Sequence, residues 1–225
     1  MKTDFKAIIF DLDGVIINSE ELHARAKRMT LNRFDIPYPE SIFSEFKGRP
    51  DLDFWSYVVH EFTGDSYSVA CLDGYKRIVY ISMSDEIALI PGVMEFIIIV
   101  RKKFPHMGLV SSATLPDFTI AEQKFHIRQW FDRMILGEDT ENHKPHPEPY
   151  LKALSGLGVK AQEAVVIEDS PNGVISAKAA GCFVIGIATS FMAEELEAAG
   201  ADLAVNTFEE LTLRLEQMHP AGRMP

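Results

Sequence analysis

The feature that most limits how this chain can fold is a series of short apolar runs that polar residues do not interrupt. They cover residues 7–10, 107–110, 134–136, 164–167, 183–187 and 203–205. Continuous apolar runs of this length are typical of strands that are buried on both faces of a sheet. Stretches long enough for a helix separate most of them, at residues 115–125, 147–157, 171–180 and 193–199. This alternation predicts an α/β fold with a doubly wound parallel sheet.

The alternation is interrupted once, after the first apolar run. Residues 18–88 contain no convincing buried strand but hold three helix-like patterns, at residues 20–34, 51–62 and 69–83. We therefore predict a core formed by residues 1–17 and 89–219, a helical cap formed by residues 18–88, and a disordered tail at residues 220–225. An insert at this point places the cap over the carboxyl edge of the sheet, where such folds bind ligands.

Composition excludes several classes of partner. The 225 residues include 22 lysines and arginines against 33 aspartates and glutamates, which gives a formal net charge of −11. Nucleic acids and anionic membranes require a concentrated basic surface, so we expect neither as a partner. The most apolar later segment, residues 87–100, is interrupted by a proline, a glycine and a glutamate, so no membrane span is expected. With only two cysteines, Cys71 and Cys182, and no signal-peptide core, the sequence favours a cytoplasmic protein.

Polar residues come directly after several of the predicted strands, and the carboxyl ends of parallel strands lie at one edge of a sheet. The segments are Asp11-Leu12-Asp13-Gly14, Ser111-Ser112-Ala113-Thr114, the loop around Lys144, and Glu168-Asp169-Ser170. Carboxylates that lie this close together raise each other's pKa values unless a cation neutralises them. A hard divalent ion with oxygen ligands resolves the repulsion, and Mg²⁺ is the ion that we expect.

In their order along the chain, these motifs resemble the haloacid dehalogenase superfamily, in its branch of phosphatases and β-phosphoglucomutase-like enzymes. The matching segments are DLDGVIINSEELH at residues 11–23, SSAT from Ser111, HKPHPEPY around Lys144, and VVIEDSPNGVISAKAAG at residues 165–181. The resemblance implies a Rossmann-like core with an inserted all-α cap. It also implies a Mg²⁺-dependent phosphatase that acts on a small phosphorylated metabolite such as a sugar phosphate.

The resemblance assigns roles to the carboxylates at the strand ends. Asp11 would attack phosphorus and form an aspartyl-phosphate, and Asp13 would act as the general acid and base. Mg²⁺ would be held by the Asp11 carboxylate, the backbone carbonyl of Asp13 and the Asp169 carboxylate. Glu168 would act on the metal through a coordinated water.

The resemblance also implies which residues hold the substrate. Lys144 and Ser111 would bind the phosphoryl oxygens, one as a point charge and the other through its hydroxyl and backbone N–H. Ser112 is a further candidate, although it and Thr114 can equally satisfy backbone groups at a strand end or helix start. Three cap residues are candidates for the rest of the substrate, and each can equally be a solvated side chain: His23, Lys47 and Arg49.

A second metal site is a weaker hypothesis. His143 and His146 flank Lys144, and two carboxylates, Glu138 and Asp139, lie nearby in the sequence. Residues of these types bind metals, but a solvated loop is the simpler interpretation of a short polar segment.

One departure from the mutase pattern bears on the type of reaction. In the mutase branch, an arginine after the cap-loop glycine holds the distal phosphate, and this chain has Asp51 there, with Arg49 two residues earlier. A mutase must hold a bisphosphate at both ends, whereas a phosphatase holds only one. A phosphatase is therefore favoured. The alternatives are a β-phosphoglucomutase-type sugar phosphomutase and a catalytically silent ligand-sensing or interaction protein. Separately, we expect a monomer or weak dimer.

Overall fold

The structure, a computed structural model, describes residues 5–218. Within them the strands are β1 (Ala7–Phe10), β2 (Ile17–Asn18), β3 (Ala88–Leu89), β4 (His106–Val110), β5 (Arg133–Ile135), β6 (Ala164–Glu168), β7 (Phe183–Ile187) and β8 (Leu203–Val205). The α-helices are α1 (Glu20–Arg33), α2 (Ser41–Glu45), α3 (Asp51–Thr63), α4 (Val69–Ser82), α5 (Val93–Arg101), α6 (Leu115–Phe125), α7 (Glu148–Leu157), α8 (Pro171–Ala179), α9 (Ala193–Ala198) and α10 (Phe208–Met218). The tail predicted at residues 220–225 lies outside the described residues.

Six strands form one parallel sheet in the order β5-β4-β1-β6-β7-β8. Strand β1 lies in the interior, and Ala7 is in register with His106 on one side and with Ala164 on the other. Each of the six predicted apolar runs is a strand of this sheet. The prediction of a doubly wound parallel α/β fold is therefore confirmed.

Side chains of β1 show why the apolar runs are continuous. Ile8 and Phe10 belong to the hydrophobic cluster on one face of the sheet, and Ala7 and Ile9 belong to the cluster on the other. Successive side chains of a strand point to opposite faces, so a strand covered on both faces needs apolar residues at every position. All four side chains are fully buried.

The insert after β1 is helical, as predicted, and begins and ends at a short two-stranded ribbon. Strands β2 and β3 pair antiparallel, with Ile17 opposite Leu89 and Asn18 opposite Ala88. Helices α1 to α4 lie between them and pack around a hydrophobic cluster of their own: Leu31, Ile36, Ile42, Phe46, Phe54, Trp55, Val58, Val59 and Leu72. The exact domain boundaries stay a prediction, which the position of this ribbon supports.

Three helices were not predicted from the sequence. Helix α2 has only five residues, too few to show a hydrophobic period. Helix α5 is a nearly continuous apolar run, which periodicity cannot distinguish from a strand, and it buries residues at helical spacing: Val93, Phe96, Ile97 and Val100. Helix α10 packs Phe208, Leu211 and Leu215 against the main cluster. Among residues 5–218, no helix combines the length and the apolar character that a bilayer crossing requires.

Two leucines of α10 provide a matched test of this packing. Leu211 is fully buried, whereas 60% of the Leu213 surface is exposed. We expect Leu211→Ala to lower the free energy of unfolding by about 2 to 5 kcal/mol, because it leaves a cavity in the core. Leu213→Ala should change it by less than about 0.5 kcal/mol. Urea unfolding of the two variants measures the difference, and equal losses would contradict the docking of α10.

Candidate active site

The candidate site is built at the carboxyl ends of the central strands. Asp11 follows β1, Ser111 follows β4 and Asp169 follows β6. Their backbones continue the sheet by one residue, because the Asp11 N–H donates to the Ile167 carbonyl at 3.0 Å and the Ser111 N–H donates to the Ile135 carbonyl at 2.9 Å. The sheet edge thereby brings together residues that are more than 150 positions apart in the sequence.

Lys144 is the cation at the centre of this edge. Its buried ammonium donates to the Asp11 carboxylate at 2.6 Å, to the Glu168 carboxylate at 2.6 Å and to the Val110 carbonyl at 3.2 Å. An ammonium has three hydrogens, so the protein accepts all of them. Burial opposes the charge of Lys144, but the two carboxylates outweigh it and raise its pKa above the usual value. Lys144 is therefore protonated and fixed in position.

The Asp11 carboxyl is buried beside Lys144. Burial raises the pKa of Asp11, Lys144 lowers it, and the carboxylates of Glu168 and Asp13 raise it further, which gives a pKa of about 8. A carboxyl with such a pKa requires a further positive charge beside it to be fully ionised at neutral pH.

Glu168 is fully buried, and both of its oxygens accept hydrogen bonds from the protein. One oxygen accepts from Lys144 and from the Tyr150 hydroxyl, each at 2.6 Å. The other accepts from the Asp169 N–H at 3.1 Å and from the N–H and hydroxyl of Ser170 at 3.3 and 3.1 Å. These donors hold the carboxylate rigidly below the cleft. Because the protein already uses both oxygens, a metal-bound water would be an additional donor to one of them. This contact stays a prediction.

Asp169 has the least compensated charge of the group. Burial, followed by the charges of Asp11 and Glu168, raises its pKa well above the usual value. No lysine or arginine nitrogen of residues 5–218 forms an ion pair with it. Asp11, Glu168 and Asp169 each place a carboxylate oxygen within 4.8 Å of the others. A buried set of oxygen donors with excess negative charge suits a hard divalent cation such as Mg²⁺.

Two glycines make room for these carboxylates. A Cβ on Gly14, whose φ is +76°, would lie 1.7 Å from a carboxylate oxygen of Asp169. A Cβ on Gly173, in the first turn of α8, would lie 1.9 Å from the Glu168 carboxylate. Neither carboxylate could keep its position beside a larger residue, so both glycines belong to the architecture of the site.

The serines after β4 differ in their position. The buried Ser111 hydroxyl accepts a hydrogen bond from the Ala113 N–H at 2.9 Å and does not line the cleft, whereas Ser112 does. Thr114 caps α6 by accepting from the Asp117 N–H at 3.4 Å and also donates to the Asp117 carboxylate at 2.7 Å. The structure therefore gives Thr114 the helix-start role that the sequence left open.

Asp13 points toward the cap. Its carboxylate accepts a hydrogen bond from the Ser19 hydroxyl and lies 3.9 Å from Nε2 of His23. Burial raises the pKa of Asp13, which favours its protonated form. His23 stacks on Tyr80 at 4.2 Å between ring centroids, and its Nδ1 lies 2.7 Å from the ammonium of Lys76. Because an ammonium can only donate, the proton of neutral His23 is assigned to Nε2, on the side of Asp13.

A polar cluster in the cap was missed in the sequence analysis. Asp51 pairs with Lys27 at 2.8 Å and with Lys76 at 2.6 Å, so residues from α1, α3 and α4 meet. Lys76 does carry a sequence signal, because it lies on the buried face of α4 with Leu72, Val79 and Tyr80. A lysine on the apolar face of an amphipathic helix requires a partner, and here Asp51 and His23 supply it.

Two residues of the cap loop, Lys47 and Gly48, contact the core. Lys47 donates to the Ser190 carbonyl and lies 4.6 Å above the ring of Phe191. The Gly48 carbonyl accepts from the Asn172 amide at 3.0 Å. Arg49 lines the cleft but pairs at 3.1 Å with Asp53 in the first turn of α3, the helix that follows it.

On the opposite side, a second contact joins cap and core. Arg77, which was also missed, lies 3.3 Å from the Asp117 carboxylate and 3.4 Å from the Thr114 hydroxyl. Between the two contacts lies a cleft of about 1430 Å³, which Asp11, Asp13 and Lys144 line on the core side.

The residues of the hypothetical second metal site do not converge. Glu138 accepts from the Leu115 N–H at 2.9 Å, and Asp139 accepts from the Leu136 N–H at 2.8 Å. His146 accepts from the N–H of Glu148 at 3.2 Å. Over residues 5–218, the group of metal-binding side chains that the structure assembles is the one at Asp11, Glu168 and Asp169. The interpretation of this segment as an ordinary loop is therefore supported.

Comparison with known proteins agrees with this geometry. The family profile of haloacid dehalogenase-like hydrolases matches residues 8–187. The chain is 32% identical to validoxylamine A 7'-phosphate phosphatase of Streptomyces hygroscopicus subsp. limoneus, over 92% of this chain and 96% of that protein. It is 30% identical to hexitol phosphatase B of Escherichia coli K12, over 92% and 95%. The crystal structure of β-phosphoglucomutase from Clostridium difficile superposes with a TM-score of 0.81 at 26% identity, over 96% and 97%.

Two helical glycines test the packing below the site. Gly173→Ala should lower the free energy of unfolding by about 2 kcal/mol or more, because the new methyl group meets the fixed Glu168 carboxylate. The control is Gly74→Ala in α4, where a Cβ has open space within 4 Å, and it should raise stability by up to about 1 kcal/mol. Thermal and urea unfolding provide the comparison. A neutral Gly173→Ala substitution would show that Glu168 is not held as described.

Proposed function

Because the chain belongs to the haloacid dehalogenase-like hydrolases, we propose that it is a Mg²⁺-dependent phosphatase that hydrolyses a small phosphorylated sugar through an aspartyl-phosphate intermediate. The observation that carries this proposal is the buried Asp11 carboxylate beside the Lys144 ammonium, at the base of a cleft and within reach of two further carboxylates. A nucleophile, a fixed cation and a metal-binding set are the parts that phosphoryl transfer requires.

Mg²⁺ would be held by the carboxylates of Asp11 and Asp169 and by the backbone carbonyl of Asp13, with Glu168 acting through a water. When bound, it supplies positive charge that neutralises and orients a phosphoryl group. Lys144 and Ser112, which line the cleft, would hold phosphoryl oxygens, and the buried Ser111 hydroxyl would have to turn from the Ala113 N–H toward the cleft to join them. For Lys144 this requires that a substrate oxygen replace one of its present acceptors, the Val110 carbonyl being the weakest of the three.

Asp13 would move the proton. In the first step, an Asp11 oxygen forms a bond to phosphorus, the bond from phosphorus to the ester oxygen breaks, and the leaving oxygen takes the proton of Asp13. In the second step, water attacks phosphorus, gives a proton to Asp13 and releases Asp11 and inorganic phosphate. The raised pKa of Asp13 favours the protonated form that the first step needs.

A sugar phosphate is supported as the substrate class by the named relatives. Both relatives carry the name of a phosphatase, one for validoxylamine A 7'-phosphate and one for hexitols. The cleft offers many polar side chains on its cap side, including His23, Lys47 and Arg49, which can bind hydroxyl groups.

A sugar phosphomutase is the second candidate, because the fold superposes on a β-phosphoglucomutase over nearly the whole chain. The two activities differ in the fate of the phosphoryl group, which a phosphatase releases to water and a mutase returns to the sugar. An assay that measures free phosphate and isomerised sugar together separates them.

Asp11→Asn provides the direct test. With Mg²⁺ and a panel of sugar phosphates that includes β-glucose 1-phosphate with glucose 1,6-bisphosphate, we expect the wild-type protein to release phosphate. The variant should lose roughly 10³-fold or more of this rate, because an amide is a poor nucleophile. Glu61→Gln, a surface substitution in α3, is the matched control and should retain full activity. Isomerisation without phosphate release would replace the phosphatase by the mutase.

Metal binding should stabilise the fold in a pH-dependent manner. Burial raises the pKa of Asp11 to about 8, above its value of 3.8 in an unfolded chain. The metal-free folded state therefore binds more protons than the unfolded state between these pH values, and its stability falls as pH rises. Mg²⁺ competes with these protons, so its stabilising effect should grow from pH 6 to pH 8.

Differential scanning fluorimetry with and without Mg²⁺ measures this effect. At saturating Mg²⁺ we expect the Tm of the wild-type protein at pH 8 to rise by roughly 5 °C. Asp169→Asn should abolish the rise, whereas Glu61→Gln should preserve it. A Mg²⁺ effect that persists in Asp169→Asn would place the metal elsewhere.

A further inference from the structure

We propose that the cap side of the cleft selects a neutral, hydroxylated leaving group and rejects substrates that carry a second phosphate at the far end. This inference rests on the proposed phosphatase function and adds the chemical class of the group that leaves. It follows from how the cap pairs its own charges.

The first observation is the ion triad Lys27–Asp51–Lys76. Asp51 lies at the start of α3 and lines the cleft, between two ammonium groups at 2.8 and 2.6 Å. Burial raises the pKa of Asp51, but Lys27 and Lys76 outweigh it and hold the pKa well below its usual value. The carboxylate is therefore charged, and it offsets one of the two positive charges that Lys27 and Lys76 carry.

A phosphate would have to compete with Asp51 for these lysines. The Lys76 side chain is only 3% exposed, and His23 accepts a further hydrogen bond from it. Lys27 packs over the ring of Phe54 at 4.7 Å as well as pairing with Asp51. A second phosphate at this end would lie beside the Asp51 carboxylate, and two like charges in such proximity disfavour binding.

The remaining cations of the cleft are also engaged by the protein. Arg49 pairs with Asp53, Arg77 lies at 3.3 Å from Asp117, and Lys47 donates to a backbone carbonyl. Among the described residues that line the cleft, nine carboxylate side chains accompany five lysines and arginines. The lining therefore stays acidic even after a divalent cation binds, and the cap offers no excess positive charge for a second phosphate.

Hydroxyl groups fit the same surroundings without this penalty. A hydroxyl donates one hydrogen bond and accepts others, so it can bind a carboxylate and an ammonium that already face each other. Asp51 beside Lys27, and Asp117 beside Arg77, are two such pairs on the cleft wall. A polyhydroxylated group can bind at such a pair without separating its charges.

The experiment compares sugars that differ only by the second phosphate. The probes are glucose 1-phosphate against glucose 1,6-bisphosphate and fructose 6-phosphate against fructose 1,6-bisphosphate, with kcat/KM measured from phosphate release in Mg²⁺. The bisphosphates should be used about 100-fold less efficiently, with the loss mainly in KM. Affinities measured on the Asp11→Asn variant repeat the comparison without turnover.

Asp51→Asn tests whether the triad causes the selection. The substitution keeps the shape of the side chain, removes its charge and frees Lys27 and Lys76. The ratio of kcat/KM for the monophosphate to kcat/KM for the bisphosphate should therefore fall at least about tenfold. Glu61→Gln removes a charge from the same helix outside the cleft lining and should leave the preference unchanged. Circular dichroism and thermal unfolding check that the variants are folded.

The outcomes separate the two proposals. Hydrolysis of neither monophosphates nor bisphosphates overturns the proposed function, while the affinities on Asp11→Asn still report on selection. Equal efficiency or equal affinity for the two members of each pair overturns the selection and leaves the phosphatase standing. A wild-type preference that Asp51→Asn does not change overturns the role of the triad.

Discussion

The active-site edge depends on one buried ammonium held between two carboxylates. Lys144 compensates Asp11 and Glu168, neither of which could stay charged in this position alone. One cation against three carboxylates leaves the edge with excess negative charge, concentrated at Asp169. The protein therefore folds with a deficit of positive charge that a divalent cation can fill.

Rigidity of this edge comes from the layer beneath it. Glu168 contacts no solvent, and donors from β6, α7 and the start of α8 surround it. Because both of its oxygens are used, Glu168 cannot turn away from Lys144 without leaving a buried donor unsatisfied. Tyr150 and Ser170 hold the Glu168 carboxylate, and through it they fix the position of the Lys144 ammonium.

The sequence could predict those features that depend on residues close together in the chain. Apolar runs and strand ends are local patterns, so the sheet and the meeting of Asp11 with Lys144 and Asp169 could be predicted. Helix α5 could not, because its apolar run has no clear period. The triad of Asp51 with its lysines could not either, because it depends on the relative positions of three helices that no local pattern sets. The buried lysine on α4 was a signal that a partner had to exist, without indicating which one.

Core and cap divide the recognition of a substrate by what they can contact. Under the proposed function, the core groups would face the phosphoryl group that every phosphate monoester presents, so they would not distinguish one ester from another. On this proposal, selection comes from the cap side of the cleft, where the Asp51 carboxylate offsets one of the two positive charges beside it. With arginine in place of Asp51, the neighbouring lysines would add to a positive site for a distal phosphate. With aspartate, one of the two positive charges is offset and both ammonium groups already have an acceptor. Hydroxyl groups are then the ligands that this surface can hold without bringing a phosphate against the Asp51 carboxylate.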